Sequence, residues 1–523
     1  MKRVLAFLVA IGVIIGVFVV LKEANSTTKI DKPLEESGDN EIYIDELNLP
    51  LVELDTMNPL LTKNKQVSDT LKLIYEPLFD LDEKNKLEPR LATEWHEKDE
   101  LTWIIKLNTK AKWHNGKSFS ADDVMFTYQT ILQNESVYKE NIKNIFSLEK
   151  IDENAIQIQL IGKDKYFLYQ LIFPIIPKHY FENDLLNETK LLQPNGTGPY
   201  QYHTISEDKK IITLIANNNW WNDEKFKLNT IYLYQYATYG EAMKAFKSTE
   251  IDVISTTMSS WQKKFGAIGN NAYSYESSEF ETIIPNTQNI MLKESSVRRM
   301  ILAGINSANI VETIYQGNGK VSQYPITSNS YLNFYPDEKS YDIEKAKQLL
   351  VNAGWQNETG FWKKEINGKV YTLDFDLLVQ ANSEEKIEIA KLIQSNLEEI
   401  GVKIKIIKAD EKEFKKRIEE YKFELALVTF YLDMDMDILE LIQTNSTKNF
   451  ANYQNTEIDN FIAEINMENL EEKFLAIQNL YKNEAPYIGM YYKCNNLLTN
   501  KSVKGDINPT SWNVYHNIIG WCK

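Results

Sequence analysis

Polar and apolar positions follow two different periods along this chain, and one stretch follows none. Val4 to Leu21 runs without a polar side chain. As a helix it spans about 27 Å at 1.5 Å per residue, close to a hydrocarbon core of about 30 Å. Lys2 and Arg3 precede it and would stay in the cytoplasm, which places the body of the chain outside. Two readings stay open: an uncleaved transmembrane anchor over residues 1–22, or a secretory signal cut near Ala24-Asn25-Ser26. The run exceeds a signal core of about 7–15 residues, which favours the anchor. The chain has no cysteine just after it, so a lipid-modified cysteine is excluded. Residues 23–41 are polar with little periodicity and read as a linker, with ordered structure starting near Ile42.

Beyond that point strand and helix periods alternate. Trp103–Leu107 and Ile156–Leu160 have strand character, the second with clean alternation. Between them, Ser120 precedes a helical stretch with Val124, Tyr128 and Ile131 on one face, and Asp123 follows it at capping-box spacing. Further on, Asp342 predicts the cap of a helix with Ile343, Ala346, Leu350 and Ala353 in one stripe, ended by Gly354. Tyr371–Leu378 reads as one strand, residues 384–400 as a helix ended by Gly401, and Val402, Ile404 and Ile406 as a strand. A charged helix over about 411–420 then leads to a strand over Phe423–Phe430. Strand–helix–strand–helix–strand predicts a parallel α/β unit. Ligands in such sheets bind beyond the carboxyl ends of strands. No repeat of fixed period is visible.

Composition narrows the function. With 74 acidic and 58 basic side chains the formal charge is −16, a surface that repels phosphate backbones and so argues against nucleic acid as a partner. At 523 residues, the chain calls for two or three domains. Five histidines and two cysteines form no metal motif, so neither metal nor cofactor is expected. Cys494 and Cys522 are candidates for a disulfide outside the cell, worth about 3–4 kcal/mol, although Cys522 is the penultimate residue.

The last strand runs into Tyr431-Leu432-Asp433-Met434-Asp435-Met436-Asp437. Carboxylates this dense must be solvated, capped or paired. A calcium loop from Asp433 fails, because Ile438 and Thr444 occupy the positions that need Gly and Glu. Asp437-Ile438-Leu439-Glu440 predicts a capping box with Asp437 as N-cap, and Asp435 reads as a solvated neighbour. Asp433, directly after an apolar strand and flanked by Phe430 and Tyr431, is either a solvated loop acid or the partner of an ammonium group, since charge-assisted hydrogen bonds contribute about 1.5–3 kcal/mol.

Several motifs then fall in one order: Pro89-Arg90-Leu91-Ala92-Thr93-Glu94-Trp95; Leu101-Thr102-Trp103; Lys112-Trp113-His114-Asn115-Gly116; Ser120-Ala121-Asp122-Asp123-Val124; Gly196-Thr197-Gly198-Pro199-Tyr200 with Asn219-Trp220-Trp221; Phe246 to Val253; Val297-Arg298-Arg299; Tyr315-Gln316-Gly317 with Pro325-Ile326. In this order and spacing the chain, from about residue 42 to its end, resembles the bacterial extracellular solute-binding proteins of family 5, the oligopeptide- and dipeptide-binding type. Their local physics reads as structural: Gly116 suits a turn, and Gly196 and Gly198 permit backbone conformations closed to other residues.

The resemblance implies an α/β fold of the type II periplasmic-binding-protein kind, with two lobes closing over a cleft and an extra subdomain. Lobe I would comprise 42–77, 182–285 and 495–523, the extra subdomain 78–181, and lobe II 286–494. It implies a monomeric component of an ABC importer that captures a peptide and delivers it to permease subunits in the membrane. The family pairs an aspartate in a W-x-x-D setting with the peptide α-ammonium. Phe430-Tyr431-Leu432-Asp433 matches with Phe for Trp, so the resemblance implies Asp433, Phe430 and Tyr431 as ligand-binding residues. The family's D-P-D resembles Asp435-Met436-Asp437 with Pro lost, and no arginine can be assigned to the ligand carboxylate. A tethered sensor, or a binder of a nickel chelate, haem, sugar or opine, would share the fold. With no G-x-S-x-G, H-E-x-x-H or placed Ser-x-x-Lys, no catalytic residues are expected.

Overall fold

The computed structural model describes residues 45–523 except 165, 186–187, 267–268, 338–340 and 433–434. The apolar run, the linker and Asp433 lie outside the described residues. Among the described residues no helix is long and apolar enough to cross a membrane.

The periodic segments of the C-terminal half fold as their patterns dictate. Asp374–Gln380 lies between Lys403–Ala409 and Leu425–Tyr431, parallel to both. The crossovers are the helices Glu384–Glu399 and Glu411–Glu419. The first starts where Ser383 accepts from Lys386 N at 3.2 Å, and it buries Ile389, Ala390, Ile393 and Leu397. Each of the isoleucine and leucine side chains contributes about 1.5–3 kcal/mol when fully buried. Asp342 accepts from Lys345 N at 2.9 Å and opens the helix Ile343–Asn352. The expected strand Tyr371–Leu378 is two strands instead. Lys369–Thr372 completes a three-stranded sheet, and the chain then switches at the buried Leu373 to enter the main sheet as Asp374–Gln380. Alternation identifies extended chain but not which sheet it joins.

The main sheet has seven strands, and six run in the order Val253–Thr256, Ile488–Asn500, Asn270–Pro285, Leu425–Tyr431, Asp374–Gln380, Lys403–Ala409. Its two long strands, Asn270–Pro285 and Ile488–Asn500, join the two halves of the body. Asn270–Glu276 pairs with Cys494–Asn500, and Phe280–Pro285 pairs with the C-terminal strand Leu425–Phe430. The register shifts between Glu276 and Phe280, and a shift of this kind bends and twists a strand. The chain end returns to the first half, where Val503, Val514, Ile518 and Trp521 pack beside Leu47, Leu49 and Leu233.

In the N-terminal half, Glu46–Val52 runs parallel to Thr230–Tyr236 in a four-stranded sheet, and Ala92–Leu107 with Ile145–Leu160 forms an antiparallel one. The motifs here hold one another. Asp123 accepts from Ser120 N at 3.0 Å, from Trp113 Nε1 at 3.2 Å and from Lys178 N at 2.9 Å. His114 Nδ1 accepts from Gly196 N at 3.1 Å, while Nε2 lies 3.0 Å from Gly198 O; burial pushes this imidazole down to about 4. Gly196 and Gly198 are required for closeness rather than for positive φ. A Cβ on Gly196 would stand 1.8 Å from Ile74 O, and one on Gly198 2.8 Å from it. Gly196→Ala is therefore expected to destabilise the protein by about 3 kcal/mol, the upper range of overpacking costs, whereas Gly116→Ala meets no atom within 4 Å and carries only its backbone cost at φ +83°. Thermal unfolding of the two variants side by side checks this.

Arg298 shows the same structural use of a motif. It is buried, and its guanidinium donates to Leu292 O at 2.8 Å, Lys293 O at 2.9 Å and Ala485 O at 3.1 Å, with Glu484 Oε2 at 3.1 Å. Arg298→Lys cannot reproduce that fork and is expected to lower stability by about 2–3 kcal/mol in urea unfolding. The two cysteines are separate, buried and free. Cys494 lies opposite Glu276 in the main sheet, and Cys522 pairs by backbone with Lys504.

Candidate functional site

Leu425–Tyr431 alternates as a strand must. Phe430 turns inward, 9% exposed, with its ring on Phe450 at 6.1 Å between centroids and against Tyr487 at 5.6 Å. Tyr431 turns outward and is 71% exposed, on the wall of a cavity of about 960 Å³. Beyond the strand, Met436, Asp437 and Glu440 continue the same wall. The helix here is Asp437–Ile442, and Asp437 is its first residue rather than its cap. Met436 already has helical angles (φ −69°, ψ −16°), so the chain coils one residue before the capping-box pattern predicts. In the first turn the Asp437 carboxylate still favours the helix dipole.

The opposite wall comes from the N-terminal half: Lys65, Gln66 and Asp69 on the helix Lys65–Leu71, then Tyr138, Glu140, Asn141, Lys143 and Asn144, and Asp164, Tyr166, Tyr169 and Gln170. The floor is the joining strands at Tyr275, Ser277–Glu279 and Asn495, together with Trp512. Six rings line the space: Tyr138, Tyr166, Tyr169, Tyr275, Tyr431 and Trp512. Trp512 is fixed at both ends of its indole. Its Nε1 donates to Asp80 at 2.6 Å, and Lys72 Nζ sits 3.2 Å over the ring. Burial pushes the Lys72 ammonium down to about 7.

The charge of this lining is unbalanced. Its described lining residues include six acids, Asp69, Glu140, Asp164, Glu279, Asp437 and Glu440, against three lysines, Lys65, Lys143 and Lys448, while Glu279 is paired with Lys493 at 3.1 Å. Each of the three lining lysines already has an acid: Lys65 with Asp69, Lys143 with Glu140 at 3.0 Å, Lys448 with Glu440. Asp164 is half-buried, and desolvation pushes its carboxyl up although Tyr166 N donates to it at 3.1 Å, with the charge of Glu440 adding to the rise. A cationic group of a ligand would meet carboxylates and ring faces here, and both attract it.

Asp435, expected as a solvated neighbour, is buried at 8% exposure. Ser330 Oγ donates to it at 2.6 Å, and Asn85 Nδ2 reaches it at 3.5 Å. Burial pushes its carboxyl up to about 7. The apolar neighbours Leu432, Met434, Met436 and Ile438 were the sequence signal for this. Glu76, another buried acid, takes the indole N–H groups of Trp220 and Trp221 at 3.1 and 2.9 Å, and burial likewise brings it up to about 7. This accounts for the paired tryptophans as structure. Asp433 lies outside the described residues, between the cleft-lining Tyr431 and Met436.

Comparison with known proteins places this arrangement. The family model described as bacterial extracellular solute-binding proteins, family 5 Middle, matches residues 86–497. The oligopeptide-binding protein AppA of Bacillus subtilis is 23% identical, over 92% of this chain and 92% of its own length. Heme-binding protein A of Haemophilus influenzae is 24% identical, over 83% of this chain and 84% of its own. Among solved structures, the unliganded open form of the periplasmic murein tripeptide binding protein MppA superposes with a TM-score of 0.76 at 18% identity, covering 88% of this chain and 95% of that one.

Proposed function

This chain belongs to the bacterial extracellular solute-binding proteins of family 5, and we propose that within the family it captures peptides and delivers them to the permease of an ABC importer. The observation that carries the peptide reading is the cleft itself. It is ring-walled, and its carboxylates outnumber its lysines. Every peptide with a free amino terminus brings one ammonium group and a row of backbone amides, so such a cleft recognises what peptides share rather than their side chains. The oligopeptide-binding relative supports the same reading.

Asp433, with Tyr431 beside it and Phe430 behind the wall, is the proposed partner of the α-ammonium. The division into lobe I (42–77, 182–285, 495–523), the extra subdomain (78–181) and lobe II (286–494) belongs to this proposal, as do a monomeric, non-catalytic mode of action and a body held outside the cell by Val4–Leu21. Membrane extraction with N-terminal sequencing tests the anchor. The expected chain keeps Val4–Leu21, and a chain in the medium beginning at Thr27 would replace the anchor with a cleaved signal.

Calorimetry tests the ligand. A set of short peptides with free amino termini should bind, and their N-acetylated twins should bind at least about 30-fold more weakly, since an ammonium buried against a carboxylate is worth about 2–5 kcal/mol. The haem-binding relative makes haem the natural competitor. Saturable binding of haem, with none of any peptide, would overturn the peptide reading.

A further inference from the structure

A short hairpin of the N-terminal half reaches across to the C-terminal half. Its strands are Phe79–Leu81 and Leu87–Pro89, and its turn is Asp82–Lys86. The turn is held by bonds of its own. Asp82 Oδ1 accepts from Lys84 N and Lys86 N at 2.8 Å each, and Asn85 takes a left-handed φ of +61°. Docked, it meets the segment Thr327–Tyr331 edge to edge. Tyr331 N donates to Lys84 O at 2.9 Å, Asn329 Nδ2 to Glu83 O at 2.6 Å, and Asn85 Nδ2 to Thr327 Oγ1 at 3.1 Å. Asn85 Nδ2 also reaches Asp435, which Ser330 fixes from its own side. The hairpin's Leu81, with Tyr169 near it, is buried in a cluster otherwise made of C-terminal residues such as Tyr324, Phe430 and Met436.

Glu83, Asn85, Thr327 and Asn329 line a second cavity of about 720 Å³, which shares Tyr275 and Ser511 with the ligand cleft. The contact also lies beside the shifted register of the joining strand, where Ser328 N donates to Glu276 at 2.9 Å. Away from the joining strands, a change of angle between the halves has to pull these bonds apart.

We propose that the turn Asp82–Lys86 is a clasp that holds the two halves at the angle seen here and must let go for the cleft to change its opening. The proposal rests on the cleft being the ligand site, and it makes the clasp a regulator of ligand entry and release.

Asp435 gives the clasp a pH dependence. The charged groups acting on it are both acids, Asp437 on its own segment and Glu276 on the joining strand. Tyr331, Tyr169 and Tyr492 also face it, and burial pushes all three hydroxyls up, so they stay neutral. In the clasped arrangement burial brings the carboxyl to about 7; released into water it returns to its ordinary value near 4. A group raised in this way binds its proton in the clasped state, so the clasp is strongest below about pH 4 and weakens as the pH rises through about 7.

Distance measurement between spin labels tests this on the full chain. Lys98→Cys and Lys412→Cys are exposed sites on the two halves, and the native cysteines are buried. At pH 5 the parent should give one narrow interlobe distance. Asn85→Gly keeps the turn, because glycine accepts the left-handed φ, but removes the two side-chain bonds. It should shift the clasped-to-released ratio by about 5–100-fold and broaden the distribution. Raising the pH to 8 should broaden the parent as well, and Asp435→Asn, a neutral side chain at every pH, should not respond. Coincident distributions for the parent and Asn85→Gly at both pH values would overturn the clasp. Titrating the same samples with free-amine peptides separates the two ideas: no binding by any sample sinks the peptide reading, while the distances still decide the clasp.

Discussion

Replacing Lys386 by methionine is expected to cost about 3–5 kcal/mol of folding stability, the range for a buried charge that loses its partner. Glu281 has no exposed surface, and it stands on the joining strand at the second of its register shifts. Both of its oxygens accept from Lys386 Nζ, one at 2.6 Å, and Thr429 donates to it at 3.0 Å. Methionine fits the space of the lysine stem but leaves the carboxylate dry and unpaired. The double variant Lys386→Met/Glu281→Leu removes both charges and should recover most of the loss, because a buried pair as a whole contributes little against an apolar replacement. Urea unfolding followed by circular dichroism reads both. A single-variant loss below about 1 kcal/mol would mean that Glu281 is solvated or protonated without Lys386. The pair lies where the halves join, so the variant should also loosen their relation before it unfolds either one.

Asp433→Asn is expected to weaken peptide binding by about 30-fold to several thousand-fold, or about 2–5 kcal/mol. The change keeps the shape and removes the charge that would face the ligand ammonium. Closure of the ring-lined cleft over a ligand would desolvate such a pair and strengthen it relative to water. The N-acetylated peptide lacks the ammonium, so its disadvantage should shrink in the variant. Asp437→Asn provides the contrast. Asp437 sits in the first turn of its helix, and the lost charge there should cost stability only about 0.3–1 kcal/mol, with affinity little changed. Should Asp433→Asn bind a free-amine peptide as tightly as the parent, the ammonium site lies elsewhere among the cleft carboxylates, and Asp164 and Glu440 become the next positions to change.

Much of the C-terminal half was legible because its helices and strands are long and strongly periodic. The stripe Ile343, Ala346 and Leu350 with its cap Asp342, and the helical pattern over 384–400 ended by Gly401, each state locally what the structure then builds. The reading failed where one pattern has two uses. Tyr371–Leu378 alternates through a change of sheet, and Asp437 begins a capping-box pattern inside a helix that has already started. Glycines were legible as fold determinants but for the wrong reason at Gly196, where the constraint is a carbonyl from Ile74, far away in sequence.

The fate of the acids shows where the boundary falls. Asp433, Asp435 and Asp437 look alike within one short segment, and sequence alone made Asp435 the solvated one. In the folded chain Asp435 is buried, because Ser330 and Asn85, remote in sequence, close over it. Local composition and period determined the α/β class, the crossover unit and the strand whose end faces the cleft, because those depend on neighbours along the chain. Which carboxylates are dry, which lysines are already paired and where one half grips the other were decided only by tertiary structure. Burial and charge depend on groups brought together from distant positions, and no short window of sequence contains them.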